Sequence, residues 1–342
     1  MQKSIRFICF LVAGLFYLQI GAWAWAGEDP TGARRSQKPA AAGEERTPKK
    51  EAPKIALPKK HVASEFIRIT KDAKGQPKTM QTAIVRYVPK TGKNKIVVDL
   101  VSVVHIGERK YFWNLNDKLS KYEAVLYELV APEGTKVPQG GPKNDSPVAM
   151  LQKMITGLLL LDFQLEHVDY TGKNFIHADL SPTEMAKKMK ERGDDGLTVA
   201  LGVIADMLRQ QNKMALKKGK QADNFGLGND PLALLTDPSG PCKIKRMMAR
   251  QMADMENNGV GKTLTTILID DRNAACMKVL QKELVKGTKH FAIFYGAAHM
   301  PDFERRLIQD FGMRKQSVEW MDAWDLRMRD VDPFELLNRF IK

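Results

Sequence analysis

Between residues 95 and 107 the chain reads KIVVDLVSVVHIG, a β-rich run that reads as a strand. A second β-rich run, MQTAIVRYVP, covers residues 80 to 89, and the stretch Lys90-Thr91-Gly92-Lys93-Asn94 joins the two. Gly92 gives that joint its turn freedom, so the pair predicts a hairpin. Past residue 107 the period changes. Phe112, Leu115, Leu119 and Tyr122 recur at helical spacing, and EAVLYELV (123 to 130) returns to a short apolar run. Strand, helix and strand in that order predict a right-handed crossover, hence a sheet with parallel strands.

The middle of the chain reads as helices: 148 to 168, 181 to 193, 197 to 220, 242 to 257 and 263 to 284. Ser181-Pro182-Thr183-Glu184 is a helix start, with a serine cap, proline at the first helical position and glutamate at the third. The sequence KHFAIFYGAAHM (289 to 300) restores a strand, Pro301 opens a helix through Leu307, and SVEWMDAWDLRMRD supplies final edge strands or an irregular end. The expected fold is α/β, a mixed sheet with a strand-end site and a helical insertion at about 147–284. Methionines in that insertion (Met185, Met189, Met207, Met247, Met248, Met252, Met255) fall at helical spacing, a pattern that serves core packing more often than a binding surface.

Other segments set the boundaries. Lys3 and Arg6 precede an apolar run from Ile8 to about Trp25 that ends in Ala24-Trp25-Ala26. Charge, apolar core and small-x-small site describe an export signal, 1–26, cleaved after Ala26, with Ala22-Trp23-Ala24 as the second site and an uncleaved anchor as the alternative. Export to the periplasm or the exterior is therefore expected. Residues 27–60 are rich in Ala, Pro, Lys, Arg and Glu and lack the apolar content to form a core; they read as a linker ahead of one domain, 61–342. The formal net charge is +14, but the bases are dispersed and no nucleic-acid module signature occurs, so no nucleic-acid partner is expected. Contact with a membrane or an anionic envelope surface stays open. Of three cysteines, Cys242 and Cys276 lie in the domain; one disulfide is possible on number alone, and no CxxC or paired His/Cys spacing points to structural zinc.

Sites in open α/β sheets form beyond the carboxyl ends of the strands. His105 ends the 97–105 run, Glu128 ends AVLYE, and His299 lies just past FAIFY. Arg272 lies in LIDDRNAACMKVL and shares a helix face with Leu268 and Cys276, so it points to the apolar side and needs a carboxylate partner, for which Glu128 is the candidate. Gly296-Ala297-Ala298 has no bulk, which lets backbone and substrate approach His299.

The blocks SVVHIGERKYFWNLNDKLSKYEAVLYELV, DDRNAACMKVL and YGAAHMPDFERRLIQDFGM resemble the TraB/Tiki superfamily. Its pattern of a strand-end GxxH-type histidine, a strand-end glutamate, an arginine in a DxRN-like helix and a second GxxH falls on His105, Glu128, Arg272 and His299. Ser102 stands where the first GxxH has glycine. The segment 172 to 185 resembles the family's stretch before its helical region and adds His177 and Asp179. The resemblance implies a Tiki/TraB/erythromycin-esterase-like fold. It also implies a metal-dependent, peptidase-like hydrolase, with His105, Glu128 and His299 around a divalent metal ion of unspecified identity. A metal-free version uses Glu128 and a histidine as acid and base on a peptide, ester or amide. Two readings of other classes stand beside it: a binding protein for a hydrophobic or haem-like ligand, and a catalytically inactive envelope-interaction protein.

Overall fold

The computed structural model describes residues 65–91, 95–132, 134–140, 147–192, 237–258 and 269–341. The signal (1–26), the linker (27–60), the turn residue Gly92, the 197–220 helix and Met207 lie outside the described residues.

Four strands, β1 (Ile67–Lys71), β2 (Pro77–Pro89), β3 (Val97–Val103) and the two-residue β4 (Ile106–Gly107), lead into helix α1 (Arg109–Leu119) and strand β5 (Ala124–Tyr127). Helix α2 (Pro147–Leu159), strand β6 (Asp162–Phe163), helix α3 (Gln164–His167), strand β7 (Phe175–His177), helix α4 (Pro182–Glu191) and helix α5 (Gly240–Asn258) come next. Helix α6 (Asp271–Val285), strand β8 (His290–Gly296), a 3-10 turn (Ala297–His299), helix α7 (Met300–Gln309), strand β9 (Met313–Asp325) and helix α8 (Pro333–Ile341) complete the described chain. The class is α/β with a mixed sheet.

The predicted hairpin is present: β2 and β3 pair antiparallel from Ile84↔Val101 to Tyr87↔Val98. β3, β8, β5 and β7 then run parallel to one another. On its other edge β2 pairs antiparallel with β9 along Thr79 to Pro89, while β1 covers the first half of β2. Period-2 alternation feeds two cores. Val101 and Val103, Val125 and Tyr127, and Ala292 and Phe294 pack with α1 and with Met248 and Ala249 of α5. Val98 and Leu100, Ala124 and Leu126, and Phe291, Ile293 and Tyr295 pack with Cys276 and Leu280 of α6 and Phe303 and Leu307 of α7. Helices on both faces explain why the central strands read as nearly unbroken apolar runs.

Several expectations change. The 95–107 run is one strand only to Val103; the chain then bends, and β4 pairs with β6 in a separate two-stranded sheet. The helix expected over 148–168 stops at Leu159 because Leu160 takes φ 54°. In that left-handed conformation the Leu160 and Leu161 amides turn back to Gly157 and Thr156, and β6 and α3 occupy the remainder. The stretch 147–284 is not wholly helical, since it supplies β6 and also β7, a member of the main sheet. Ser181 forms the expected capping box with Glu184. Cys242 and Cys276 are free and buried in separate clusters. Met248 is core, 4% exposed. Among the described residues no helix is long and apolar enough to cross a membrane.

Candidate functional site

Parallel strands with a common direction bring their carboxyl ends to one edge. Val103 of β3 lies opposite Gly296 of β8, Phe294 opposite Tyr127 of β5, and Tyr127 opposite His177 of β7. The residues just beyond, His105, Glu128, Asp179 and His299, therefore leave the sheet side by side. The expectation that His105, Glu128 and His299 stand at strand ends describes the fold as observed.

Glu128 is the centre. One carboxylate oxygen, Oε1, accepts from Arg272 Nη2 at 2.8 Å and lies 3.4 Å from His299 Nε2; the other, Oε2, accepts from the Gly296 amide at 2.7 Å. Arg272, on the first turn of α6, is only 1% exposed and is the predicted partner of Glu128. Its stronger partner is Asp179, which takes Nε at 2.9 Å and Nη2 at 2.5 Å as a bidentate pair. A buried guanidinium between two buried carboxylates satisfies the requirement that charge inside a protein be paired. These charges set the protonation of the cluster. Burial alone would push the Glu128 carboxyl upward, but Arg272, joined by His299 and His105 when those rings carry charge, outweighs it and holds Glu128 well below the usual carboxylate range. Burial likewise opposes the charge of Arg272, and Asp179 and Glu128 overcome it, so the guanidinium stays protonated.

The two histidines are held differently. His299 is 3% exposed, its Nδ1 lies 2.6 Å from Asn273 Oδ1, and its Nε2 lies 3.5 Å from Arg272 Nη1. Tyr295 meets its ring edge-on at 5.2 Å and Phe303 stacks on it at 6.3 Å. His105 is half-buried; its Nδ1 lies 2.9 Å from Gln164 Oε1, and its Nε2 faces Gly296. A Cβ added to Gly296 would come 3.3 Å from Glu128 Oε2 and 3.6 Å from His105 Nε2. The constraint at 296 is one of space and not of backbone, because its φ of −54° is open to any residue while a Cβ there would press on the Glu128 carboxylate.

His177 is not brought into the cluster. Its Nε2 lies 2.6 Å from the Leu129 carbonyl oxygen and its ring sits edge-on to Tyr127, so it ties β7 to the chain after β5. Asp179, two residues on, belongs to the site fully. Gln164 and Asn273 were missed by sequence reasoning. Cys276 and Tyr295 lie behind the cluster, and burial pushes both their pKa values well up, which keeps the thiol and the phenol neutral and unsuited to attack.

Glu128 touches His299 and lies across Gly296 from His105, so the three residues expected around a divalent ion share one site. Both Glu128 oxygens already accept hydrogen bonds, one of them from a guanidinium that supplies the positive charge an ion would bring. Among the described residues no group of three His, Cys, Asp or Glu side chains is arranged to hold a metal ion. The arrangement can move protons: two imidazoles flank a carboxylate that Arg272 holds ionised at neutral pH, and one of them is reachable from outside. A surface concavity of about 610 Å³ between α1 and β9, lined by Lys110, Asn114, Glu319 and Trp320, contains none of these residues. Comparisons with protein-family models, curated proteins and solved structures find no match to this chain.

Proposed function

We propose that this chain is an exported hydrolase of ester or amide bonds, working by acid–base chemistry at the strand ends. The observation that carries the reading is the meeting of His105, Glu128, Arg272 and His299, from four separate elements, at the carboxyl edge of a parallel sheet. The resemblance to TraB/Tiki proteins supports hydrolysis and the strand-end architecture; the order of the elements supplies the rest.

In this reading His105, the half-buried member, takes a proton from water through Nε2 as the water attacks the carbonyl carbon. The attack forms a C–O bond and leaves the electron pair on the carbonyl oxygen. When that pair returns, the bond to the leaving oxygen or nitrogen breaks and the proton on His105 passes to it. Glu128 balances the imidazolium formed on the way, which is the work of a fixed negative charge in a dry site. Arg272 does not touch substrate; it is enclosed by Asp179 and Glu128 and positions the carboxylate. No step passes through a metal ion.

The test is turnover of a nitrophenyl ester and a mixed peptide pool by the full chain, before and after chelation. Wild type is expected to turn over and to keep its rate after chelation. His105→Ala and Glu128→Gln are expected to lose about 10²-fold or more, the usual worth of a positioned proton-transfer group. Absence of hydrolysis in wild type, or full activity in both variants, overturns the reading. Loss on chelation with recovery on adding manganese, cobalt or zinc overturns the metal-free chemistry and leaves hydrolysis standing.

A further inference from the structure

A neutral imidazole carries its proton on one nitrogen, and the hydrogen bond made by the other decides which. Both site histidines face a carboxamide through Nδ1, although the two carboxamides come from unrelated parts of the chain.

At His299 the assignment follows from counting donors. The Asn273 amide nitrogen donates to the His299 carbonyl oxygen at 3.0 Å and to Asp302 Oδ2 at 3.0 Å. Both are acceptors, so the end of Asn273 that faces the ring is oxygen, at 2.6 Å from Nδ1. An oxygen there requires a proton on Nδ1. In the neutral ring Nε2 is then the bare nitrogen, 3.5 Å from the donor Arg272 Nη1 and 3.4 Å from Glu128 Oε1. Asn273 is 0% exposed, so bulk solvent does not reach its oxygen.

At His105 the same chemistry is delivered by the small sheet. Ile106 pairs with Phe163 and Gly107 with Asp162, and the ladder runs on through the Gln164 amide to the His105 carbonyl oxygen at 2.8 Å. That register sets Gln164 beside His105. Its Nε2 donates to Tyr170 Oη at 2.7 Å, which leaves Oε1 toward His105 Nδ1 at 2.9 Å. Gln164 is 5% exposed. The bare Nε2 of His105 again faces the glutamate, across Gly296.

We propose that Gln164 and Asn273 are positioning residues that hold His105 and His299 in the tautomer protonated at Nδ1, so that two bare Nε2 atoms face the Glu128–Arg272 pair. The small β4–β6 sheet is then the aiming device for His105, and the residue after Arg272 is the aiming device for His299. The tautomers rest on hydrogen bonding alone; their effect on rate rests on the hydrolase reading above.

The experiment is nitrogen NMR of the full chain labelled at histidine, with His105→Gln and His299→Gln used to assign the two rings. Wild type is expected to show Nδ1 as the protonated nitrogen and Nε2 as the bare one in both rings. Gln164→Met keeps the length of the side chain and removes the acceptor, so the His105 ring is expected to lose its single tautomer while His299 keeps its own. Asn273→Leu should do the reverse. Asn273→Asp keeps an acceptor for Nδ1 and loses both amide donors, so it separates tautomer control from structural support: the His299 ring keeps its Nδ1 proton there. Ring nitrogens protonated at Nε2 in wild type, or a His105 tautomer unchanged in Gln164→Met, overturn the proposal. Should Asn273→Leu fail to fold, Asn273→Asp and Gln164→Met still decide it. With the ester probe, Gln164→Met is expected to lower kcat about 10²-fold with KM held. If Gln164→Met changes the His105 tautomer while wild type hydrolyses nothing, this inference stands and only the hydrolase falls.

Discussion

Arg272 is the residue whose removal has the most distinctive signature, because it neutralises two carboxylates at once. In wild type the depressed Glu128 pKa contributes stability that is fully present above the ordinary value of 4.5 and is lost as pH falls through the lower folded value. Arg272→Leu leaves Glu128 and Asp179 buried without their cation, at a cost of roughly 3–5 kcal/mol at neutral pH. Burial and mutual repulsion then raise the carboxyl pKa above its unfolded value, so the sign reverses and acid stabilises the variant. Melts from pH 7 to pH 5 should show the variant gaining stability while wild type does not; parallel curves would refute the paired-charge account. At this scale the sequence was informative where the strand-end rule applied. His105, Glu128 and His299 each come after an apolar strand run, and Arg272 on an apolar face called for a carboxylate. Asp179 was read only through the resemblance, because β7 before it is three residues long. Gln164 left no signal, and Asn273 stood in the DxRN-like pattern without a role, since a carboxamide's partner is fixed by contacts 59 and 26 residues away along the chain.

Among elements, the long runs were legible and the short ones were not. β2, β3, β5 and β8 have β-branched or aromatic runs bounded by turn residues, and α1 shows its buried face as Phe112, Leu115 and Leu119. β4 and β6 have two residues each, too few to show a period, and exist only because they pair with one another. β1 and β7 are likewise partner-made. Two glycines show what these joints require. At Gly107 an added Cβ would sit 2.9 Å from Tyr111 Cδ1 and 3.3 Å from Phe112 Cζ, against rings that are 1% and 0% exposed. Gly107→Ala is expected to cost about 1–3 kcal/mol by overpacking. At Gly296 the added carbon meets the Glu128 carboxylate and His105 instead, so Gly296→Ala should reduce ester turnover by more than it reduces stability. Thermal melts and turnover measured on both variants check the contrast. Equal activity in Gly296→Ala and wild type would show that the glutamate and His105 do not pack against residue 296.

For the whole molecule, the question is where the folded unit begins, and composition and packing answer it from opposite sides. Residues 27–60 hold too few apolar side chains to offset the entropy of ordering them. Only a few residues later the chain is fully committed: Phe66 is 0% and Ile67 3% exposed, and they belong to opposite faces of the sheet. The Phe66 carbonyl oxygen accepts from the Ala83 amide and from Ser102 Oγ, joining β2 to β3 where β1 gives way to β3 beside β2. A chain beginning at Lys60 keeps all of this and is expected to melt cooperatively at the temperature of the chain beginning at Gly27. A chain beginning at Lys71 loses Phe66, Ile67 and most of β1, removes a large side chain from each core, and uncovers the first half of β2. Emptying a buried phenylalanine site alone costs about 3–5 kcal/mol, a large share of the ~5–15 kcal/mol that holds a domain folded. The shorter chain should therefore melt far lower or aggregate through the uncovered strand. A lower melt for the chain beginning at Lys60 would mean that residues before it pack on the domain, and the boundary would have to move toward Gly27.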